Sequence, residues 1–437
     1  MKKRLSLSFL IVSMAFYQSQ AQEKLKRLGL QDAISAAVSN NQSVKLATTD
    51  ETIAKIKYRQ ANAIFLPQAS FSYTALSTNN PLNAFGFKLQ QKSISAADFN
   101  PALLNDPAST SDFTTKLEIQ QPLVNMDMLY QRKAAAKQAD MYQLISQRTK
   151  EALGFETEKA YLQLQLIYEI QKVLKDAYAT SRAFQKNAKD YFDQGLIQKS
   201  DLLNAQLQVT NLETQMNTIT LNIADASDML SILMNTSTGV IYQVDSIEKN
   251  KITVDSLQVT DNRPDFAAMK KAMDSYDLMI KSSKMSYWPR LNAFGSYQFN
   301  DNSMLGFNGS AYLAGIQLSW NIFNGNRTKT TISLQNAEKD KIRKQLELQK
   351  SEAALQVNHA KRQLSEALFA MKQHELAVEQ ASEALRVLQN RYTQGLVKTS
   401  DVLLAQTQLY QQKLNAVQSV FNYNTAVANL QFLTTNK

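Results

Sequence analysis

The sequence contains no cysteine. Disulfides, thiol nucleophiles and Cys-type zinc sites are therefore excluded. His359 and His374 are its only histidines. They stand fifteen apart, with His374 on a helical seam, so packing accounts for them better than a metal site. No Ser/His/Asp set, paired acid cleft or Gly-rich phosphate loop is present. The chain is expected to be no enzyme and to carry neither cofactor nor metal. Proline is scarce and unevenly placed, at 67, 81, 101, 107, 122, 264 and 289 only. None lies between 122 and 264 or after 289, and from Asn326 to Gln394 there is neither Gly nor Pro. Such unbroken stretches exceed ordinary globular helices of ~8–20 residues and point to coiled coils or helical repeats. Long apolar runs are missing too. Past the N-terminus nothing approaches the ~20 consecutive apolar residues of a transmembrane helix.

The N-terminus sets the compartment. Lys2-Lys3-Arg4 is a basic n-region, Leu5 to Phe16 a short apolar h-region, and Ser19-Gln20-Ala21 a small-x-small cleavage site. Residues 1–21 read as a signal peptide, with the mature chain starting at Gln22. No Cys follows the site, which excludes a bacterial lipid anchor there. The net charge of +10 includes three from this segment. The rest is spread along helices without a basic, aromatic-interleaved block, so a solvated surface is expected and no nucleic acid.

Two stretches organise what is there. Gln194-Gly195-Leu196 with Ser200-Asp201 returns 200 residues later as Gln394-Gly395-Leu396 with Ser400-Asp401. Nine of fifteen positions are identical between 194–208 and 394–408. Each copy lies between long helical patterns and reads as a tight helix-to-helix turn.

Leu28 to Ala63 reads as one helix, with Asp32 in its first turn, ended by Leu66-Pro67. Strict alternation follows over 67–76, with Ala69, Phe71, Tyr73 and Ala75 on one side. Residues 77–111, rich in Pro, Asn, Ser and Asp, read as a long loop. A second alternating strand covers 112–123. A helix runs from about Asp127 to Tyr191, ~95 Å if continuous. The next ends near Met234, with a heptad seam of Leu202, Val209, Met216, Ile223 and Leu230 against Ala205, Leu212, Ile219, Ala226 and Leu233. Residues 235–262 are polar and turn-rich, with short strands expected near Val240–Val244 and Ile252–Val254.

The order then repeats. A helix spans Arg263 to Tyr287, strands span 290–299 and 311–322, and a long helix runs from Arg327 to Tyr392. After the second turn the last helix runs from Thr399 to about Leu433. The long helix carries its own seam, Val357, Leu364, Met371, Val378 and Leu385 with Ala360, Ala367, His374, Ala381 and Leu388. The sequence therefore divides into repeats at 22–262 and 263–437, an internal duplication.

Four strands with one apolar and one polar face have no leftover domain to cover them. A membrane barrel with apolar exterior and polar lumen satisfies that pattern, and a soluble sheet packed on the helices is the alternative. Four strands cannot close a barrel, since lipid forbids open edges and about eight is the minimum. Oligomerisation is required, as a dimer, trimer or tetramer.

The chain resembles the TolC-like outer-membrane efflux protein family. The residues that carry the likeness are the two Gly-Leu…Ser-Asp turns, Leu28-Gly29-Leu30-Gln31-Asp32-Ala33-Ile34 with Asn40-Asn41, Asn262-Arg263-Pro264-Asp265, the strand starts at Pro67 and Pro289, and Trp320-Asn321-Ile322-Phe323-Asn324-Gly325. The resemblance covers essentially the whole mature chain. It implies a mainly α fold with a small β part: a homotrimer with a periplasmic α-barrel of long antiparallel coiled-coil helices and a twelve-stranded outer-membrane β-barrel. It implies a passive exit duct for efflux or type I secretion, docked to a periplasmic adaptor and an inner-membrane pump of RND, ABC or MFS type. A different class, a periplasmic coiled-coil scaffold or adaptor outside the membrane, stays open.

By the same resemblance Gln194, Gly195, Leu196, Gln394, Gly395 and Leu396 form adaptor-contacting tips. Gly at a helix C-cap explains the glycines without a partner, but not the repeated Leu196 and Leu396. Asp401 matches the family's aspartate ring at the periplasmic aperture; a helix-start carboxylate explains it equally well. The second ring of the best-known member falls on Leu404, which makes the aperture more apolar. Tyr392 and Asp201 match two members of a closing latch, whose arginine position is Val397, with Lys398 beside it.

Overall fold

The computed structural model describes residues 25–250 and 260–434. The expected signal peptide and the strand expected at Ile252–Val254 lie outside them. In chain order the elements are β1 (Lys26–Arg27), α1 (Leu30–Asn40), α2 (Gln42–Gln60), β2 (Gln68–Thr78), α3 (Pro81–Gln90), α4 (Pro101–Asn105) and β3 (Thr110–Val124). Next come α5 (Met126–Asp193), α6 (Lys199–Leu233), β4 (Tyr242–Gln243), α7 (Pro264–Met285), β5 (Arg290–Asp301), β6 (Gly309–Ser319), α8 (Arg327–Thr393) and α9 (Thr399–Thr434). The chain is mostly helical with a small sheet. Two compact units interleave along it among the described residues: 25–48, 145–250, 260–266 and 348–434 form one, and 49–144 with 267–347 the other.

In the first unit the heptad seams close. Leu164, Leu174, Leu212, Ile219, Ile223 and Leu230 are buried together between α5 and α6, where α1 adds Ala33 and Ala37. Between α8 and α9, Val357, Ala360, Leu364 and Ala367 bury against Tyr423, Val427 and Leu430. His374 is half-buried and His359 exposed. The helix expected over Leu28–Ala63 is broken at Asn41, and its last turn, Ala61–Phe65, is 3-10. Asn41 leaves the helical region, its Oδ1 accepts from the Ser43 N–H (2.8 Å), and its Nδ2 donates to the Leu233 carbonyl (2.8 Å). A short amide side chain here competes with the backbone ladder and ties the break to the end of α6. Tyr242–Gln243 pairs in parallel with Lys26–Arg27, a contact of distant segments that no local pattern announces.

The second unit is built on one antiparallel sheet in the order β2-β3-β5-β6. Its register stacks the four sequence patterns on one side: Phe71 opposite Leu117, Leu117 opposite Tyr297, and Tyr297 opposite Tyr312. The row above repeats it as Ala69, Ile119, Gly295 and Ala314. The opposite face carries Ser70, Glu118 and Ser296, then Ser72, Lys116 and Gln298. Lys116 and Glu118 pair there at 2.7 Å.

The long loop expected over 77–111 is corrected by the structure. β2 extends to Thr78, and the segment then forms α3, a 3-10 turn at Ala96–Phe99, and α4. Pro81 and Pro101 are first-turn residues, not breakers, and Asn80 and Asn100 cap them by accepting from Asn83 N (3.2 Å) and Ala102 N (3.0 Å). The excursion is held to the polar face by a buried knot. Asp112 accepts from Gln91 Nε2 (2.9 Å), Asn300 Nδ2 (2.9 Å) and Thr114 Oγ1 (2.6 Å). Gly309 lets the backbone close in, since a Cβ there would lie 2.1 Å from the Gln90 carbonyl. Asp112→Leu removes an acceptor from three donors, of which Gln91 Nε2 and Asn300 Nδ2 keep another partner and Thr114 Oγ1 does not, and buries an apolar side chain in their place, at about 1–3 kcal/mol in all. It is expected to speed limited proteolysis within 79–109 at least about tenfold, while Asp112→Asn, which keeps an acceptor, changes it far less.

Candidate functional site

Two features of this molecule lack a structural purpose of their own: the hairpin turns and the apolar sheet face. The turns are near-copies. Gly195 (φ +75°) and Gly395 (φ +72°) occupy the left-handed region that side chains rarely adopt. Gly195 N–H donates to the Phe192 carbonyl (2.8 Å) and Leu196 N–H to Tyr191 (2.8 Å). The second turn matches, with Gly395 to Tyr392 (2.9 Å) and Leu396 to Arg391 (3.0 Å). This paired arrangement is a Schellman cap, which usually tucks the residue after glycine back onto the helix. Here that residue stands out instead: Leu196 is 66% and Leu396 69% exposed. Gln194 and Gln394 are exposed beside them.

Behind the turns the two hairpins share a core. Phe184, Ala188 and Ala205 of the first bury against Leu385, Tyr392, Val402 and Ala405 of the second. Tyr392 packs on Phe184 and Tyr191, with ring centroids 5.2 and 5.6 Å away. Its hydroxyl shares a hydrogen bond with Thr399 Oγ1 (3.3 Å), and burial pushes its pKa above the ordinary tyrosine value. Asp201 lies close enough to add to that upward shift, but its own Oδ2 accepts from the Gln198 N–H (3.2 Å). The structure thus brings Tyr392 and Asp201 near each other without a direct hydrogen bond. Asp401 does the same work as its repeat: Oδ2 accepts from Lys398 N–H (3.2 Å) and Oδ1 from the Ser400 hydroxyl (3.4 Å). Both carboxylates cap first turns, where the helix dipole favours them. Asp401 remains exposed, and Leu404 is exposed one turn along. Sequence reasoning missed Thr399, Phe184 and Tyr191. The one local signal was Thr399 standing where the first copy has Lys199.

The sheet presents Phe71, Leu117, Ile119, Tyr297, Tyr312, Ile316 and Leu318 to the outside, all exposed. Contiguous apolar surface of this kind marks a contact with another molecule or with lipid. Neither β2 nor β6 has a second strand neighbour among the described residues. Trp320, just past β6, donates Nε1–H to the Tyr287 carbonyl (2.9 Å), placing an amphipathic ring at the end of that face. No helix is long and apolar enough to cross a membrane, among the described residues. Also among them, no group of three or more metal-ligating side chains gathers.

Known proteins place this geometry. Residues 257–436 match the family model described as outer membrane efflux protein. The fold matches the outer membrane protein VceC of Vibrio cholerae at 17% identity and TM-score 0.77, covering 93% of this chain and 96% of that one. A membrane protein from Pseudomonas aeruginosa matches at 17% identity and TM-score 0.79, with 93% of each chain covered. The CmeC outer membrane channel of Campylobacter jejuni matches at 15% identity and TM-score 0.76, with 93% and 85% covered. At such identities the likeness is one of fold. No curated protein sequence matches the chain. The second half of the chain thus carries the sequence pattern of the outer membrane efflux protein family, and nine-tenths of its length shares the fold of these outer-membrane proteins.

Proposed function

We propose that the protein is the outer-membrane exit duct of a tripartite efflux or secretion system, acting as a homotrimer and passively passing substrate outward. The observation that carries this reading is the sheet register. One shared register sets four largely apolar strand faces on one side, while the opposite face is mainly polar on β2, β3 and β5 and mixed on β6, where Leu313 lies beside Ser296, and both edge strands stay unpaired among the described residues. A lipid-facing wall has this pattern, and its open edges demand further copies of the chain. Three copies make a twelve-stranded barrel, wide enough for a lumen. Residues 1–21 are the export signal in this reading, and the repeats at 22–262 and 263–437 are one duplicated unit.

The turns at 194–201 and 394–401 are the periplasmic edge. Leu196 and Leu396, with Gln194, Gly195, Gln394 and Gly395, are the contact to a periplasmic adaptor, which links the duct to an inner-membrane pump. Asp401 and Leu404 line the aperture, and Tyr392 with Asp201 holds the hairpins closed. That closure leans on aromatic packing more than on charge, since Val397 occupies the arginine position. Tyr392→Phe combined with Asp201→Ala therefore raises closed-state conductance in planar bilayers only modestly, about tenfold or less, the scale of one or two hydrogen bonds. No rise at all removes both residues from the gate.

The adaptor contact is tested in cells by photocrosslinkers placed at Gln194 and Gln394. Capture of an inner-membrane-anchored periplasmic adaptor supports the reading. Crosslinks confined to copies of the chain itself overturn it.

A further inference from the structure

Next to the shared core of the hairpins, Gln406 breaks the apolar pattern. It is 7% exposed, and neither its Nε2 nor its Oε1 has a hydrogen-bond partner among the described residues. A buried amide left without partners is costly, and native proteins rarely tolerate one without a compensating role. Gln406 borders a cavity of about 50 Å³ that draws on all four hairpin helices. Its polar lining comes from Asp176, Thr180 and Ser181 of α5, Gln208 of α6, and Lys413 on α9. A water needs roughly 10–15 Å³ of such volume and two to four polar partners, so a cavity of this size has room for about three. The sequence repeat sharpens the point. Gln206 is the same residue in the first hairpin, and it is exposed. Only the second hairpin turns this glutamine inward, into the interface.

We infer that Gln406 and its cavity form a hydrated pivot, a built water site that keeps the two hairpins separable beside their apolar clamp. Resting on the exit-duct reading, this assigns a role to a layer that the tip residues do not explain. The clamp of Phe184, Leu385, Tyr392 and Val402 favours closure by burying apolar surface. The Gln406 layer works against it. Its amide keeps water partners as the helices part, so parting costs less there than at an apolar layer, where apolar surface must be newly exposed. Polar residues in coiled-coil cores act in this way, lowering stability while fixing register.

The test compares Gln406→Met, nearly the same shape without polar atoms, with Gln206→Met as control. Both are made in the full-length protein and purified from the outer membrane. Gln406→Met is expected to raise the thermal midpoint and to lower the frequency of spontaneous opening in planar bilayers about tenfold, the scale of one buried amide relieved. Gln206→Met is expected to change neither. A lowered midpoint for Gln406→Met would show that the amide has partners in the assembly and would overturn the pivot. An unchanged opening frequency would overturn it as well. Should the wild-type protein form no channel at all, the exit-duct reading falls while the midpoint comparison still decides the hydration of Gln406.

Discussion

Leu117→Arg is expected to abolish the outer-membrane form of the protein. Leu117 sits mid-strand on β3, opposite Phe71 on one side and Tyr297 on the other, with its side chain exposed. If that face meets hydrocarbon, an arginine there costs about 2–4 kcal/mol near the bilayer midplane. A trimer suffers the cost three times, about 6–12 kcal/mol, comparable with the whole margin of a typical fold. The mirror experiment uses Ser296→Arg. Ser296 pairs with Glu118 on the opposite face, where a lumen would accept the charge. That variant should assemble normally and shift ion selectivity toward anions. Heat-modifiable trimer in the outer-membrane fraction is the readout for both. Equal tolerance of the two substitutions would mean that neither face meets lipid.

Leu196→Asp together with Leu396→Asp is expected to remove export activity while leaving the channel intact. The turns themselves are held by backbone hydrogen bonds and by Gly195 and Gly395, so the leucines can change without unfolding them. Their exposure leaves nothing within the chain to lose. An apolar anchor at an interface centre contributes about 2 kcal/mol, and a trimer presents six. Adaptor crosslinking should fall at least about thirtyfold, and cells should become as sensitive to exported compounds as a deletion strain. Trimer yield and bilayer conductance should match wild type. Gly395→Val is the contrasting variant: it strains the left-handed turn and should lower stability along with activity.

Much of this architecture was legible because its signals are periodic. The Phe71 and Tyr312 strands alternate strictly, and the Val209 and Leu364 seams recur every seven residues. Each signal reports directly on which side of an element is buried. The turns were legible because glycine at positive φ is a local requirement. What escaped reading depended on context. Pro81 and Pro101 are breakers in a loop and first-turn residues in a helix, and only the Asn80 and Asn100 caps tell these apart. Asn41 has helical neighbours on both sides, so its break is decided by the distant Leu233 carbonyl. At the candidate site, Gly195, Leu196, Gly395 and Leu396 were found through repetition. The partner of the Tyr392 hydroxyl, Thr399, was not, because a seven-residue separation across a turn has no periodic signature. Gln406 was invisible for a related reason. Its sequence copy Gln206 is exposed, and only the packing of the second hairpin distinguishes them.

The central claim is that three copies of this sheet close a lipid-embedded barrel. Fractionation of cells expressing the full-length protein, followed by unheated and heated electrophoresis and bilayer recording of the purified species, tests it most directly. The account predicts a heat-modifiable trimer in the outer-membrane fraction that conducts ions in planar bilayers. A monomer recovered from the soluble periplasm, with no conductance, would contradict it and favour a coiled-coil scaffold instead.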